Sequence, residues 1–599
     1  MGSTTRRNAS VPRLCVAAIV LLLSSCSGGG GGSGSSASPP SATQAPSPIT
    51  KADAYRFLNQ ASFGATEAEA SRLIALGDSS NGYARWIDAQ LTREMSLLLP
   101  AVETAYPDPV PQGFNVGSLN ASRLERWFAN VLRGDDQLRQ RVAFALSEIF
   151  VVSQVGALLN LPNATADFHD MLTRNAFGNY RTLLEEVTLH PAIGVYLSML
   201  GNQKAVAGTN LRPDENYARE MMQLFSIGLV QLNLDGTIRT DATGQPLPTY
   251  NQDVIEGFAK VFTGWKWECP STLPACTFTN TRPQIAPVIG YNQVRPMRLY
   301  PEQHDTGSKL VLSYPGMALA NATIPAGQTG AHDLKDALDN VFNHPNVGPF
   351  ISKQLIQRLV ASNPSPAYVQ RVAERFNNDG NGRRGNLEAV VRAILLDPEA
   401  RSAPSGNAAS AAGKLKEPLL RLTQFWRAYE ATSRSGRLGV AANFTGGVAG
   451  VFGQAQGSAP SVFNFFSPFY APPGEIANAG RVAPEMQLAT EYLNTQIANF
   501  FWAQAQSRTH MATNLGVDIM FINTADEILI AADSEALINR VADRLLGGST
   551  QISNSLKTQA KAQIERTTVP ATNANTALVT RTADAIFFVV TSPEYTLQR

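Results

Sequence analysis

Apolar residues recur at helical spacing along most of this chain. Two representative stripes are Leu124, Trp127, Phe128 and Val131, and Leu387, Val390, Val391, Ile394 and Leu395. Apolar positions three and four residues apart form one buried helix face, so this pattern predicts amphipathic helices. Residues 273–314 and 444–483 lack this period and are rich in proline, glycine and aromatic side chains. We therefore predict a predominantly α protein, a large multi-helix globular body with long irregular loops and minor β content.

The N-terminus departs from this pattern. Three arginines precede an apolar run at residues 14–23, which is too short to span a bilayer and is typical of a secretory signal. The following Ser24-Ser25-Cys26 resembles the lipobox of bacterial lipoproteins, in which the cysteine is acylated and the signal is cut before it. We expect residues 1–25 to be a lipoprotein signal peptide and Cys26 to carry the lipid. An ordinary cleaved signal with an unrelated cysteine is the alternative.

Residues 26–50 are predicted to form a disordered tether between this anchor and the folded body. Five glycines, residues 28–32, precede a stretch rich in Ser, Pro and Ala, a composition that cannot bury enough apolar surface to fold. The folded body is expected over residues 51–599. Because Ser27 rather than Asp follows the cysteine, we expect an exported lipoprotein of the outer membrane, facing the periplasm or the cell surface.

The balance of charge excludes one class of partner. The chain has 49 Lys+Arg and 48 Asp+Glu residues, a net charge of +1. No stretch of it forms the basic stripe that nucleic-acid binding needs. We therefore expect no nucleic-acid partner, and contact with the membrane through the lipid anchor.

The remaining cysteines agree with export. Outside the signal and Cys26, the chain contains Cys269 and Cys276. An exported protein enters an oxidising compartment, so we expect these two cysteines to form a disulfide. A redox or metal-binding dithiol is the alternative, although it favours the tighter Cys-x-x-Cys spacing.

Residues 213–225 form the sharpest motif, Pro-Asp-Glu-Asn-Tyr-Ala-Arg-Glu-Met-Met-Gln-Leu-Phe. Its apolar positions predict a helix with proline near its start and Gly228 just past its end. Glu215 and Arg219 lie one turn apart, and Glu220 follows them. These charges either form surface ion pairs that stabilise the helix modestly, or place two carboxylates at a cleft, with the arginine holding one of them ionised.

A second helix is predicted from Asn251, as N-cap, to Trp265. Asp253 and Glu256 lie three residues apart on its polar side, where like charges repel each other. Both acids are in the first turn, so the helix dipole offsets part of that repulsion. The alternative is a shared proton or a bound cation between the two carboxylates.

Two further segments carry candidate chemistry. His304-Asp305 is a metal ligand pair or a base with its acid, although adjacent side chains on an extended chain point to opposite faces. Residues 461–470, which include Phe465 and Phe466, form an aromatic block. That block is either a platform for stacking sugars or part of the core.

Residues 377–388 resemble a calcium loop in their spacing. The oxygen-bearing side chains at the positions that an EF-hand loop uses are Asn377, Asp379, Asn381 and Glu388. Against a divalent cation such as calcium, the first position is uncharged and two arginines would stand beside the ion. The alternative is an Asn/Gly turn in which Asn386 caps the next helix.

The motifs together resemble a bacterial family, the domain of unknown function numbered 1800. The resemblance covers residues 51–599 and is carried by residues 55–66, 215–225, 253–265, 304–305, 393–401 and 461–470. It implies a large, mostly helical, exported protein that is often encoded beside a partner family resembling sulfatases and alkaline phosphatases. It implies no established activity, so no catalytic residue is transferred from the family.

Two functions agree with these observations. The first is a lipid-anchored envelope hydrolase that acts on polysaccharide or another extracellular polymer, with paired carboxylates as acid and base. Its candidate residues are Glu215, Arg219, Glu220, Asp253, Glu256, His304 and Asp305 for catalysis, and Trp265, Phe465 and Phe466 for substrate stacking. The second is a non-catalytic envelope binding or assembly protein that works with a sulfatase-like partner.

Overall fold

The structure is a computed structural model that describes residues 46–106, 114–268, 293–402, 412–506 and 516–599. Helices dominate these residues and the strands form only two-residue pairs, which confirms the predicted fold class. The predicted anchor at Cys26 and the predicted disulfide between Cys269 and Cys276 lie outside the described residues. Within the described ranges, no helix has the length and apolar content needed to cross a membrane.

Helices α1 to α15 occupy the first two thirds of the chain. They are α1 Lys51–Ala61, α2 Glu67–Ala75, α3 Gly82–Leu91, α4 Leu99–Ala105, α5 Leu119–Arg133, α6 Gln137–Ser147, α7 Pro162–Asn175, α8 Tyr180–Leu189, α9 Pro191–Tyr196, α10 Asn216–Gln223, α11 Gln252–Val261, α12 Gly330–Asn343, α13 Val347–Leu359, α14 Pro366–Asn377 and α15 Leu387–Leu396.

The remaining helices follow in chain order. They are α16 Pro398–Arg401, α17 Pro418–Ala428, α18 Val440–Asn443, α19 Gly447–Phe452, α20 Glu475–Asn478, α21 Glu491–Gln506, α22 Ala525–Ile530, α23 Ser534–Leu546, α24 Asn554–Ile564, α25 Asn575–Val590 and α26 Pro593–Thr596. Three antiparallel pairs join β1 Trp265–Lys266 to β2 Arg298–Leu299, β3 Lys309–Leu310 to β4 Thr323–Ile324, and β5 Lys414–Leu415 to β6 Leu597–Gln598.

Helix starts follow local side-chain chemistry. Thr50 and Asp53 form a reciprocal capping box at α1, which satisfies backbone donors that have no partner within the helix. Asn251 accepts from the backbone N–H of Val254 at 3.2 Å and so caps α11 as predicted. Asn386 likewise caps α15.

Two apolar cores form the described body. The first is built mainly from α1 to α3 and α6 to α15, and the second from α4, α5 and helices after α16. Helix α6 contributes to both, because Leu146 packs in the first core and Phe144 in the second. The predicted apolar stripes of α5 and α15 are buried, as expected for amphipathic helices.

Six charged side chains are buried together near α6, and we call them the buried ionic cluster. They are Arg141, Glu148, Arg358, Lys414, Glu417 and Glu485, none more than 4% exposed. Lys414 Nζ lies 2.9 Å from Glu485 Oε1 and 3.4 Å from Glu417 Oε1. Arg358 Nε lies 3.8 Å from Glu148 Oε2. The cluster therefore balances cations against anions in the interior.

Backbone contacts tie the cluster to distant parts of the chain. The carbonyl oxygen of Arg358 accepts from Arg141 Nη2 at 2.6 Å and from Lys414 Nζ at 2.8 Å. Arg358 Nη2 donates to the carbonyl oxygen of Glu148 at 2.8 Å. Buried charges are tolerated only when they are paired and hydrogen-bonded. The relative positions of α6, α13 and β5 are therefore fixed by one shared set of charges.

Replacing Lys414 with Met is expected to destabilise the protein strongly. The change leaves the buried Glu417 and Glu485 without their lysine, and breaking a buried pair in this way costs about 3–5 kcal/mol. Urea unfolding of the full-length protein measures the difference. The matched control is Lys335→Met, which breaks an exposed pair with Asp339 at 2.8 Å and should leave the unfolding midpoint unchanged. Equal effects of the two substitutions would contradict a structural role for the cluster.

Candidate functional site

A cavity of about 520 Å³ lies beside the buried ionic cluster, and we call it the apolar pocket. Its lining comes from α13, from the chain that follows α10, and from the aromatic loop at residues 461–470. Most of the lining side chains are apolar, while Glu148 and Arg358 belong to both the lining and the cluster. An apolar cavity of this size with a few convergent polar groups is the usual form of a small-molecule site.

Helix α13 forms one wall of the pocket. Phe350, Lys353, Gln354, Gln357 and Arg358 line the cavity and fall on one helical face, because residues three and four apart lie above one another. The opposite face of the same helix carries the apolar stripe that packs in the first core. The helix thus has a core side and a pocket side.

The second wall is an arm formed by residues 229–249. Isolated antiparallel bridges pair Val230 with Pro248 and Leu232 with Ile238. The chain enters the arm at Gly228, whose φ of +72° is in the left-handed region and whose Cβ position lies 2.7 Å from Phe350 Cε2. A side chain at Gly228 would be strained and would collide with the pocket wall.

The aromatic loop forms the third wall. Phe463 is 54% exposed and Phe469 is 66% exposed, and both line the pocket. Each follows a serine by two residues, and the serine Oγ accepts from the phenylalanine N–H at 3.2 Å. Of the predicted stacking residues, Phe466 is buried, and Phe465 lines a separate small cavity. The rings of this loop that line the apolar pocket are therefore Phe463 and Phe469.

Glu148 lies at the inner end of the pocket. Its Oε1 accepts from Asn464 Nδ2 at 3.3 Å and from Gln454 Nε2 at 3.4 Å. Its Oε2 has no hydrogen-bond partner among the described residues. Burial, and then the charge of Glu417, raise the pKa of Glu148 well above its ordinary value, although Arg358 and Lys414 oppose the shift. Burial and the neighbouring carboxylate therefore both favour the neutral form of this acid.

Glu417 is the ionised partner of this acid. Burial raises the pKa of Glu417, but the charges of Lys414 and Arg141 outweigh burial and lower it overall. The charge of Glu417 in turn contributes to the raised pKa of Glu148, because two neighbouring buried carboxyl groups do not ionise together easily. A pair of acids with pKa values shifted in opposite directions thus lies where the pocket meets the buried ionic cluster.

The predicted acids of α10 and α11 occupy different environments. Arg219 Nη2 lies 3.0 Å from Glu215 Oε2, and Gln252 Nε2 donates to the same oxygen at 2.9 Å. Asp253 and Glu256 are exposed. None of these residues lines the apolar pocket. The motif therefore joins two helices by a surface network.

Glu220 differs from these acids because it is buried. Its Oε2 and the hydroxyl of Tyr250 both lack hydrogen-bond partners among the described residues. Burial raises the pKa of Glu220, and its charge contributes to the raised pKa of Tyr250, about 12, of which burial is the main cause. Glu220 is therefore a buried acid that does not line the apolar pocket.

His304 is paired with a carboxylate on helix α12. Its Nε2 lies 2.9 Å from Asp333 Oδ2, and Lys309 Nζ lies 2.6 Å from the same oxygen. Asp305 instead accepts from the N–H of Gly307 at 2.8 Å. Trp265 is only 6% exposed and packs in the first core. The dipeptide is thus split between two environments, and the tryptophan ring is covered.

Protein donors occupy side-chain oxygens of Asn377, Asp379 and Glu388 in the predicted calcium loop. Asp379 Oδ2 accepts from Arg383 Nε at 2.9 Å and from Asn386 Nδ2 at 2.8 Å. The other contacts are Arg384 to Asn377, Asn381 N–H to Asp379, and Arg392 to Glu388. A cation would have to displace these arginines. No group of three or more His, Cys, Asp or Glu side chains suited to a metal occurs in the described ranges.

The fold and the pocket define a large helical protein with an apolar ligand-sized site. The family model described as a protein of unknown function, DUF1800, matches residues 56–597, so the chain belongs to this family. No curated protein and no solved structure matches the chain.

Replacing Glu148 with Gln is expected to change stability in a pH-dependent way. The folded protein keeps the proton of Glu148 above the ordinary pKa of 4.5, whereas the unfolded chain loses it, so this group's contribution to stability falls as the pH rises. Gln stays neutral. The free energy of unfolding of the variant, relative to the wild type, should therefore rise with pH by up to about 1.4 kcal/mol per unit.

Urea unfolding from about pH 5 to about pH 8 measures this difference. A difference that does not change with pH would contradict a raised pKa for Glu148.

Proposed function

We propose that this protein is an exported, lipid-anchored protein of the cell envelope that binds an amphipathic ligand in the apolar pocket. The observation that carries the proposal is the pocket itself, a cavity of about 520 Å³ with apolar walls and polar groups at its inner end. Sites of this kind enclose the apolar part of a ligand and orient it through a few polar contacts.

The pocket rim supports the same proposal. Leu229, Ile238, Phe463 and Phe469 are each more than half exposed, the least exposed of them being 51% accessible, and all four line the cavity. Exposed large apolar side chains in one patch mark a binding surface. A polysaccharide offers many hydroxyl groups that need polar partners, so these walls favour an apolar or amphipathic molecule over a sugar chain.

A second candidate function is hydrolysis, and Glu148 is the observation that favours it. A carboxylic acid whose pKa is raised by burial, beside a carboxylate whose pKa is lowered, is an arrangement used for general acid catalysis. In this role Glu148 would donate its proton to a leaving group in the pocket. Glu148→Gln would then abolish turnover of an amphipathic ester or glycoside while leaving its binding intact.

The binding proposal predicts that polar substitutions at the rim weaken affinity. We expect Leu229→Ser and Phe469→Ser each to raise the dissociation constant of decanoate about tenfold, because each removes apolar area that the ligand covers. Isothermal titration calorimetry on the full-length protein measures this change. The control is Leu529→Ser, which alters a leucine that is 83% exposed outside the pocket. Equal affinities for all variants would contradict the proposed site.

The envelope location predicts lipidation at Cys26. In the expressing bacterium, Cys26→Ser should abolish incorporation of an alkyne-labelled fatty acid and release the protein from the membrane fraction, because the thiol that carries the acyl chains is gone. Cys15→Ser, which changes the other cysteine of the N-terminal segment, should leave the label in place. Labelling that persists in the Cys26 variant would contradict the proposed anchor.

A further inference from the structure

Three polar residues at the inner end of the apolar pocket are buried in the protein. Glu148, Gln354 and Arg358 line the pocket and are at least nine-tenths buried. Glu148 Oε2 lies 3.8 Å from Arg358 Nε, so these two charged side chains pair with each other. A charged group of a ligand therefore needs another partner in this pocket.

Lys353 supplies a cation on the pocket wall. Its side chain lines the cavity, and its stem packs near the arm, where Lys353 Cδ lies 3.7 Å from the Cβ position of Gly236. No carboxylate within the described ranges pairs with it, and burial alone lowers its pKa, as expected for a cation that is partly removed from water.

The buried ionic cluster does not compensate the charge of Lys353. The cluster contains three cations, Arg141, Arg358 and Lys414, and three acidic side chains, Glu148, Glu417 and Glu485. Lys353 lies outside this cluster. An anion brought in by a ligand would meet Lys353 beside apolar walls, where opposite charges attract more strongly than in water.

We propose that the ligand of the apolar pocket is an amphipathic monoanion, an aliphatic or aromatic tail that carries a carboxylate head. This inference rests on the proposed binding function and names the chemical class of its ligand. The head accepts a hydrogen bond from Lys353 Nζ on the pocket wall. The tail extends along the walls towards Phe463 and Phe469.

The orientation of the ligand follows from the burial of the lining residues. Lys353 is only partly exposed, whereas the two phenylalanines at the rim are largely exposed. A tail of increasing length therefore covers more of the apolar rim without disturbing the head. Lys353 lies on α13, which forms one wall of the pocket, and both phenylalanines belong to the aromatic loop that forms another.

The test compares head groups on one tail. Isothermal titration calorimetry of the full-length protein with decanoate, decyl phosphate, decanol and decyltrimethylammonium should rank decanoate first, at least about tenfold tighter than decanol. Decyl phosphate separates a carboxylate site from a site for phosphate-headed lipids. Binding of decanol as tight as that of decanoate, or tighter binding of the phosphate or the cation, would overturn the inference.

Substitution of Lys353 tests whether this lysine causes the preference for decanoate over decanol. Lys353→Met keeps the length and apolar stem of the side chain, so it should bring the affinity for decanoate down to that for decanol while leaving decanol binding unchanged. Lys335→Met, at an exposed lysine on α12, should preserve the full preference. A preference that survives in Lys353→Met would overturn the assignment.

Failure of the head-group inference can be distinguished from failure of the proposed binding function. If decanol binds and decanoate gains nothing from its charge, the pocket function stands and the head-group inference falls. If no amphiphile binds, both fall. The head-group comparison uses the wild-type protein, so the inference remains testable even where a variant does not fold.

Discussion

The burial of six charges between two apolar cores constrains the rest of this structure. A buried charge is tolerated only beside its counter-charge, so Arg358 on α13, Lys414 in β5 and Glu148 after α6 must lie close together. Their backbones are held by the same contacts, since the carbonyl oxygen of Arg358 accepts from both Arg141 and Lys414. Segments separated by hundreds of residues are thereby brought to one point, and the pocket forms beside it.

The same buried charges supply polar residues to the lining of the pocket. Burial and the charge of Glu417 raise the pKa of Glu148, whereas Lys414 and Arg141 help to lower the pKa of Glu417. Glu148 and Arg358 belong both to the buried ionic cluster and to the lining of the pocket. Charges that hold the fold together therefore also form part of the pocket wall.

Local features of the fold followed from the sequence, and long-range features did not. The stripes of α5 and α15 and the caps at Asn251 and Asn386 depend on residues within a few positions of each other. The partner of His304, by contrast, is Asp333, which lies on a later helix. The adjacent Asp305 was the sequence-based candidate, and no local pattern distinguishes the two acids.

The pocket itself was only partly predictable. The aromatic loop was identified as a candidate surface, and the structure places Phe463 and Phe469 in the lining of the pocket, whereas Phe465 lines a separate small cavity and Phe466 is buried. Two Ser-x-Phe segments, at residues 461–463 and 467–469, were the available signal, since each serine caps its phenylalanine. In the sequence, Glu148 is only a charged residue that follows the heavily apolar α6. Its partners come from three other parts of the chain, so no local pattern indicates them.

The most direct test of this account is photo-crosslinking with a diazirine-bearing long-chain carboxylate, followed by peptide mapping of the full-length protein. The account predicts that labelling falls on the arm at residues 229–249 or on the loop at residues 461–470, and that excess decanoate prevents it. Labelling elsewhere, or labelling that decanoate does not reduce, would contradict the claim that the apolar pocket is the ligand site.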